Sequence, residues 1–166
     1  MGFKMTPLKA LIIIGVILYL GATKQALAIP GGLVYPLMDT KVASDFGKRR
    51  HPIARAVKHH NGIDLAAPYG SPVRAVKEGI VIFADFYGAY GNLVTIKHGP
   101  ATTTHYGHLM KIKVKPGQKI KAGDIIGLVG STGLSTGPHL HFEIRVNGKP
   151  HDPRRVIPDL AANAEG

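Results

Sequence analysis

His139-Leu140-His141-Phe142-Glu143-Ile144-Arg145-Val146 alternates along its whole length. On a strand, successive side chains point to opposite faces. Leu140, Phe142 and Ile144 therefore share one face, the apolar one that belongs in a core, and His139 and His141 project together from the other with Glu143. Two imidazoles side by side on the polar face of a strand are hard to explain by packing and point to a site.

The same period extends outward along the chain. Gly and Pro recur every ten residues or so, and the stretches between them are short, apolar and β-branched, the punctuation of a β protein. Strands are predicted over Pro72–Ala75, Gly79–Ala84, Asn92–Lys97, Thr102–Tyr106, Ile125–Val129 and His139–Val146. No window sustains a period of 3.6 over three turns, and only a short helix after Pro153, over Arg154–Leu160, is expected. The fold class is all-β. The turn-then-strand style of Val114-Lys115-Pro116-Gly117-Gln118 and Lys121-Ala122-Gly123-Asp124-Ile125 brings lipoyl and biotinyl carrier folds to mind. A carrier needs a modifiable lysine at a hairpin tip inside a matching motif, and none is present.

Two further spacings involve histidine. In His60-Asn61-Gly62-Ile63-Asp64 an imidazole and a carboxylate stand four apart. On a single strand they would share a face and reach one ion, and Gly62 with the following Pro68, Gly70 and Pro72 argues against a helix there. In His105-Tyr106-Gly107-His108 a separation of three puts the two rings on opposite faces of a regular strand, so one of them faces the site. Spacing does not choose between them, and Gly107 permits a bend that would spoil the parity. The chain has no cysteine, so a metal must be held by imidazole, carboxylate and water, a donor set that suits zinc.

Residues 1–28 read as a signal peptide: Lys4 and Lys9 precede a 13-residue apolar run from Ala10 to Ala22, followed by Ala26-Leu27-Ala28. The run is shorter than the ~20 residues that span a bilayer, and the rival reading is an uncleaved, tilted anchor. Residues 29–36, with Pro30, Gly31, Gly32 and Pro36, read as a flexible lead-in, 37–159 as one domain, and 160–166 as a loose tail. Without the signal, 18 basic residues stand against 10 acidic ones, a net +8, so the surface attracts anions over about a Debye length. For an exported protein the anions met first are cell-wall polymers. A cationic nucleic-acid-binding protein has only the charge in its favour, and export opposes it.

These residues resemble the lysostaphin-type zinc endopeptidases of the peptidase M23 type, which cut peptidoglycan cross-links. The matching stretches run in family order: Ser44-Asp45-Phe46-Gly47, Lys48-Arg49-Arg50-His51-Pro52, His60-Asn61-Gly62-Ile63-Asp64, Ala67-Pro68-Tyr69-Gly70-Ser71-Pro72-Val73, Gly91-Asn92, Tyr106-Gly107-His108-Leu109, Gly130-Ser131-Thr132-Gly133 and Ser135-Thr136-Gly137-Pro138-His139-Leu140-His141-Phe142-Glu143. The resemblance implies a compact, mainly antiparallel β-sheet or barrel-sandwich-like fold with a metal-floored groove. It also implies zinc on His60, Asp64 and His141, with His108 and His139 flanking the water as catalytic groups and His105 outside the site. His59, His98 and His151 match no functional position and read as structural or exposed. Glu143 is a candidate support for a ligand, and Tyr87, Gly88, Tyr90 and Gly91 form either a groove wall or a plain hairpin loop. The implied partner is peptidoglycan, and the place of work is the periplasm, cell envelope or exterior, with membrane contact only if the N-terminal segment is kept. The alternative is a metal-free wall-binding module that activates separate amidases. No wall-binding repeat is recognisable beside the domain.

Overall fold

The computed structural model describes residues 28–29, 32–38, 40–50 and 57–157. Residues 1–27 of the expected signal peptide and the tail expected over 160–166 lie outside them. Among the described residues no helix is long and apolar enough to cross a membrane.

The strands are, in chain order, β1 (Ala28–Ile29), β2 (Leu33–Val34), β3 (Lys41–Ser44), β4 (Gly47–Arg50), β5 (Val57–His60), β6 (Ile63–Ala66) and β7 (Pro72–Arg74). After them come β8 (Gly79–Phe86), β9 (Asn92–Lys97), β10 (Thr102–Ile112), β11 (Lys119–Ile120), β12 (Ile125–Val129), β13 (His139–Val146) and β14 (Lys149–His151). The main sheet runs β11-β8-β9-β10-β13-β6-β3; β12 joins β10 to β7, and β14 pairs with β13. β1 with β2 and β4 with β5 form separate two-stranded ribbons, and all these pairings are antiparallel. The helix expected over Arg154–Leu160 is a single 3-10 turn, Pro153–Arg155, whose first free amide is capped by Asp152; residues 158–160 lie outside the described chain.

The core is the inward face of the alternating strands. Leu140, Phe142 and Ile144 of β13 pack with Ile63 and Leu65 of β6, Ile96 of β9 and Tyr106 of β10. Each large side chain so buried contributes roughly 1.5–3 kcal/mol. Tyr106 is the polar exception, and its hydroxyl is satisfied by the Val76 amide and Thr104. Within the lead-in expected over residues 29–36, Leu33 and Tyr35 pack against this core and the Val34 amide donates to the Val76 carbonyl at 2.8 Å. The chain is thus tied to the domain before Leu37.

β10 changes partner along its length. Its first half lies between β9 and β13, with the last β13 pair at Gly107↔His141. From Leu109 onward β12 takes the place of β13, starting at Leu109↔Val129. β12 and β13 diverge at this fork, and the groove opens where they part.

Candidate metal centre

Asp64 and His141 are directly opposed in the β6–β13 ladder, so their side chains leave the sheet on one face. His60 arrives from elsewhere. It ends β5, opposite Gly47 of β4, and a bend at Asn61-Gly62 carries the chain into β6. The expectation that His60 and Asp64 share one strand is therefore corrected: His60 ends β5 and Asp64 is the second residue of β6, strands in different sheets. Gly62 makes the bend possible, because a Cβ there would sit 2.2 Å from the Phe142 carbonyl oxygen.

Three donor atoms converge. His60 Nε2 and His141 Nδ1 are 3.0 Å apart, His141 Nδ1 and Asp64 Oδ1 3.0 Å, and His60 Nε2 and Asp64 Oδ1 3.2 Å. The outer nitrogens are already committed. His60 Nδ1 lies 2.8 Å from the Asp45 carbonyl and His141 Nε2 2.9 Å from Glu143 Oε1. A carbonyl or carboxylate oxygen only accepts, so those nitrogens carry the ring protons and the inner ones present lone pairs. Three lone pairs aimed at one point repel each other unless a cation lies between them. Two imidazoles and one carboxylate, with no thiolate, fit a divalent ion of the zinc type with a fourth position left for water or substrate.

The surrounding charge agrees with this. Where no cation lies between them, a proton on the inner nitrogens takes its place: burial raises the pKa of Asp64, but hydrogen bonds and charge from the protonated His141 and His60 rings outweigh it and hold the carboxyl well below the usual carboxylate range. Burial disfavours a charged His141, yet Asp64 and Glu143 on its two nitrogens raise its pKa, so positive charge is drawn to this spot. Glu143 is fully buried. Burial alone would raise its pKa, but the His141 and Arg145 hydrogen bonds bring it down to about 2. Tyr90 donates to Glu143 Oε1 at 2.7 Å, Arg145 Nε donates to Oε2 at 2.6 Å, and Arg145 Nη2 donates to the Tyr90 hydroxyl at 3.1 Å. A buried carboxylate hydrogen-bonded on both oxygens holds the His141 ring in place. Arg145 and Tyr90 were not singled out for this support. Arg145 carried a signal, sharing the polar parity of His141 and Glu143, whereas Tyr90 reaches Glu143 only through the fold.

His139 and His108 stand beside the cluster. The His139 Nδ1–H donates to the Gly137 carbonyl at 2.8 Å, leaving Nε2 3.6 Å from Asp64 Oδ1. The His108 Nδ1–H donates to the Thr132 carbonyl at 2.8 Å, and its ring centre lies 4.7 Å from that of His139. Burial pushes the His108 pKa down to about 4. The parity expected of His105 and His108 is corrected. His105 is opposed to Glu143 and lies on the same face as His141, and His108 reaches that face as well, because its φ of 60° breaks the alternation. His105 stays outside the groove lining, half-buried behind Glu143. The carbonyls of Asp45, Gly137 and Thr132 left no mark in the sequence, since a backbone acceptor can belong to any residue.

The cluster floors an open groove of about 650 Å³. One wall includes Ala89 and Tyr90, from the loop joining β8 to β9, and the other includes Ser135–Pro138. The Tyr87–Gly91 loop is thus both a hairpin connection and a groove wall; Tyr87 itself is exposed. His98 bridges the Glu78 carbonyl and Thr104, His151 is exposed, and His59 is an exposed residue at the groove rim, edge-on to Phe46.

Fold and site together define a metallopeptidase-like groove, and the chain belongs to peptidase family M23, which matches residues 58–153. Peptidoglycan DD-endopeptidase ShyA of Vibrio cholerae is 47% identical over 119 residues, 70% of this chain and 27% of that protein. A crystal structure of a zinc containing peptidase from Vibrio cholerae superposes with a TM-score of 0.66 at 43% identity, covering 70% of this chain and 37% of that one. The catalytic domain of the antimicrobial peptidase lysostaphin from Staphylococcus simulans superposes with a TM-score of 0.65 at 34% identity, covering 74% of this chain and 93% of the domain. The chain spans less than a third of the length of the first curated relatives it matches.

Proposed function

We propose that this chain is a zinc-dependent endopeptidase that hydrolyses peptide cross-links of bacterial peptidoglycan outside the cytoplasm, with His60, Asp64 and His141 as the metal ligands. The observation that carries the reading is the convergence of three lone pairs, one from a carboxylate and two from rings whose protons are committed elsewhere. Zinc in such a site lowers the pKa of a water molecule and polarises a carbonyl oxygen. Zinc is supported by the donor set and by the zinc-containing relative of the same fold; the peptidoglycan substrate is supported by the DD-endopeptidase relative.

The chain's own groups supply the rest. His139 and His108 each turn Nε2, free of its proton, to the groove. They accept a proton from the attacking water, return it to the leaving amine, and hydrogen-bond the tetrahedral oxyanion between those events, assistance worth about 10²-fold or more in rate. Glu143, with Tyr90 and Arg145, keeps the His141 ring oriented. The Tyr90 loop and Ser135–Pro138 hold an extended peptide across the floor. The metal-free module is opposed by the complete donor set. Residues 1–28 act as an export signal that leaves Ile29 as the first mature residue.

The test is digestion of purified, cross-linked sacculi followed by mass spectrometry of the fragments. The reading expects cross-linked dimers to give way to monomers with glycan strands intact. Persisting dimers, or cuts confined to sugars, would overturn it.

A further inference from the structure

His108 is held in a conformation that side chains resist. Among the described non-glycine residues only His108 and Asn147 have positive φ, and Asn147 sits in the two-residue turn between β13 and β14, where positive φ is ordinary. At His108 the strain marks a bulge. The register of β10 against β9 shifts between Tyr106 and Leu109, and the shift carries His108 onto the face that parity would deny it.

Something must offset that strain, and the contacts meet in one residue. The Thr132 hydroxyl donates to the Leu109 carbonyl at 2.8 Å and accepts the Asn92 amide at 2.9 Å. The Asn92 side chain donates to the same Leu109 carbonyl at 2.9 Å. The Thr132 carbonyl accepts the His108 Nδ1–H. Thr132 therefore grips the bulge on both sides, by the ring of His108 and by the carbonyl of the residue after it. The two loops are in backbone contact: a Cβ on Gly91 would lie 2.4 Å from the Thr132 carbonyl carbon, and one on Gly133 2.3 Å from the Gly91 nitrogen.

We infer that Thr132, seconded by Asn92, is the positioning residue for His108. Its hydroxyl holds the bulge that turns the ring into the groove, and its carbonyl fixes the tautomer that leaves Nε2 unprotonated. The inference rests on the reading that His108 handles protons. It adds that a residue outside the groove lining controls that group.

The test is a double-mutant cycle. Thr132→Val removes the hydroxyl and keeps the shape; kcat should fall about 10- to 100-fold with KM and zinc content unchanged, and Thr132→Ser should restore it. On a His108→Ala background, Thr132→Val should change kcat less than about twofold, because the group it positions is gone. Nitrogen NMR of His108 in metal-free protein should show one Nδ1–H tautomer in the parent and a mixture in Thr132→Val. Thr132→Ala, which cannot overpack, is read in parallel. Additive losses in the cycle, or unfolding of both Thr132→Val and Thr132→Ala, would make the hydroxyl merely structural and overturn the inference. An unimpaired His108→Ala would instead remove the reading on which it rests.

Discussion

A ring nitrogen that is to hold a cation or take up a proton needs its own proton placed elsewhere, and the four histidines given roles in the site arrange this in two ways. His60, His108 and His139 donate to backbone carbonyls, whereas His141 donates to the buried carboxylate of Glu143. The difference matters because a carboxylate partner makes the ring a stronger donor to a metal. Glu143→Gln keeps the size and one acceptor but removes the charge and leaves Arg145 without its ion-pair partner. Metal affinity should drop about 10- to 100-fold, read by competition with a chromogenic chelator; unchanged affinity would show that Glu143 only packs. Alanine substitutions then separate the two kinds of histidine. His60→Ala, Asp64→Ala and His141→Ala each lose one of three protein donors, so bound zinc and hydrolysis should both fall sharply. His108→Ala and His139→Ala should keep zinc while turnover falls by about 10²-fold or more. Elemental analysis and cleavage rate on folded variants check this. His151→Ala is the control, exposed on β14; His105, which abuts Glu143, is unsuitable.

At the scale of elements, strand existence was legible for the longer strands that are apolar on one face, while β6, with only Ile63 and Leu65 to show its face, was not among the expected strands. Asn92–Lys97, Ile125–Val129 and His139–Val146 have the bounds their alternation predicts. The short strands β3, β4 and β5 were missed because Lys41, Lys48, Arg49, Arg50, Lys58 and the paired His59-His60 give no apolar run to read. The site residues were legible as types and spacings, but the backbone that unites them was not. His60 and Asp64 flank a bend rather than share a strand, and His108 depends on β12 replacing β13 beside β10, a pairing between segments far apart in sequence. The bend yields a prediction. Gly62→Ala puts a methyl group against the Phe142 carbonyl, so β6 must shift relative to β13 and draw Asp64 away from His141. The variant should lose about 1–3 kcal/mol and much of its zinc, measured by thermal unfolding and elemental analysis. A stable variant with full zinc would show that the crossing is looser than drawn.

Over the whole molecule, pH acts through buried imidazoles. Burial lowers the pKa of His98, and those of His105 and His108 to about 4. Between the ordinary histidine value of about 6.5 and about 4, the unfolded chain binds more protons than the folded one. The stability these groups give is present above about pH 6.5 and lost as pH falls through that window. His141, with a raised pKa, works oppositely: its contribution is complete below about 6.5 and is lost as pH rises. Three lowered groups against one raised group give a net loss towards acid, and metal release adds to it because ligand imidazoles must be neutral. Unfolding of metal-free protein followed from pH 7.5 to 4.5 should show this slope, and His105→Gln should make it shallower; parallel slopes would contradict the assignment. The basic surface favours approach to an anionic polymer and should make wall digestion slower at high salt. The central claim, that hydrolysis depends on one ion held by His60, Asp64 and His141, is tested most directly by adding zinc back to metal-free protein while following cleavage of a purified cross-linked muropeptide dimer. The account predicts no cleavage before zinc is added, a linear rise, and saturation at one equivalent per chain. Cleavage by the zinc-free protein, or a rise that continues to a second equivalent, would contradict it.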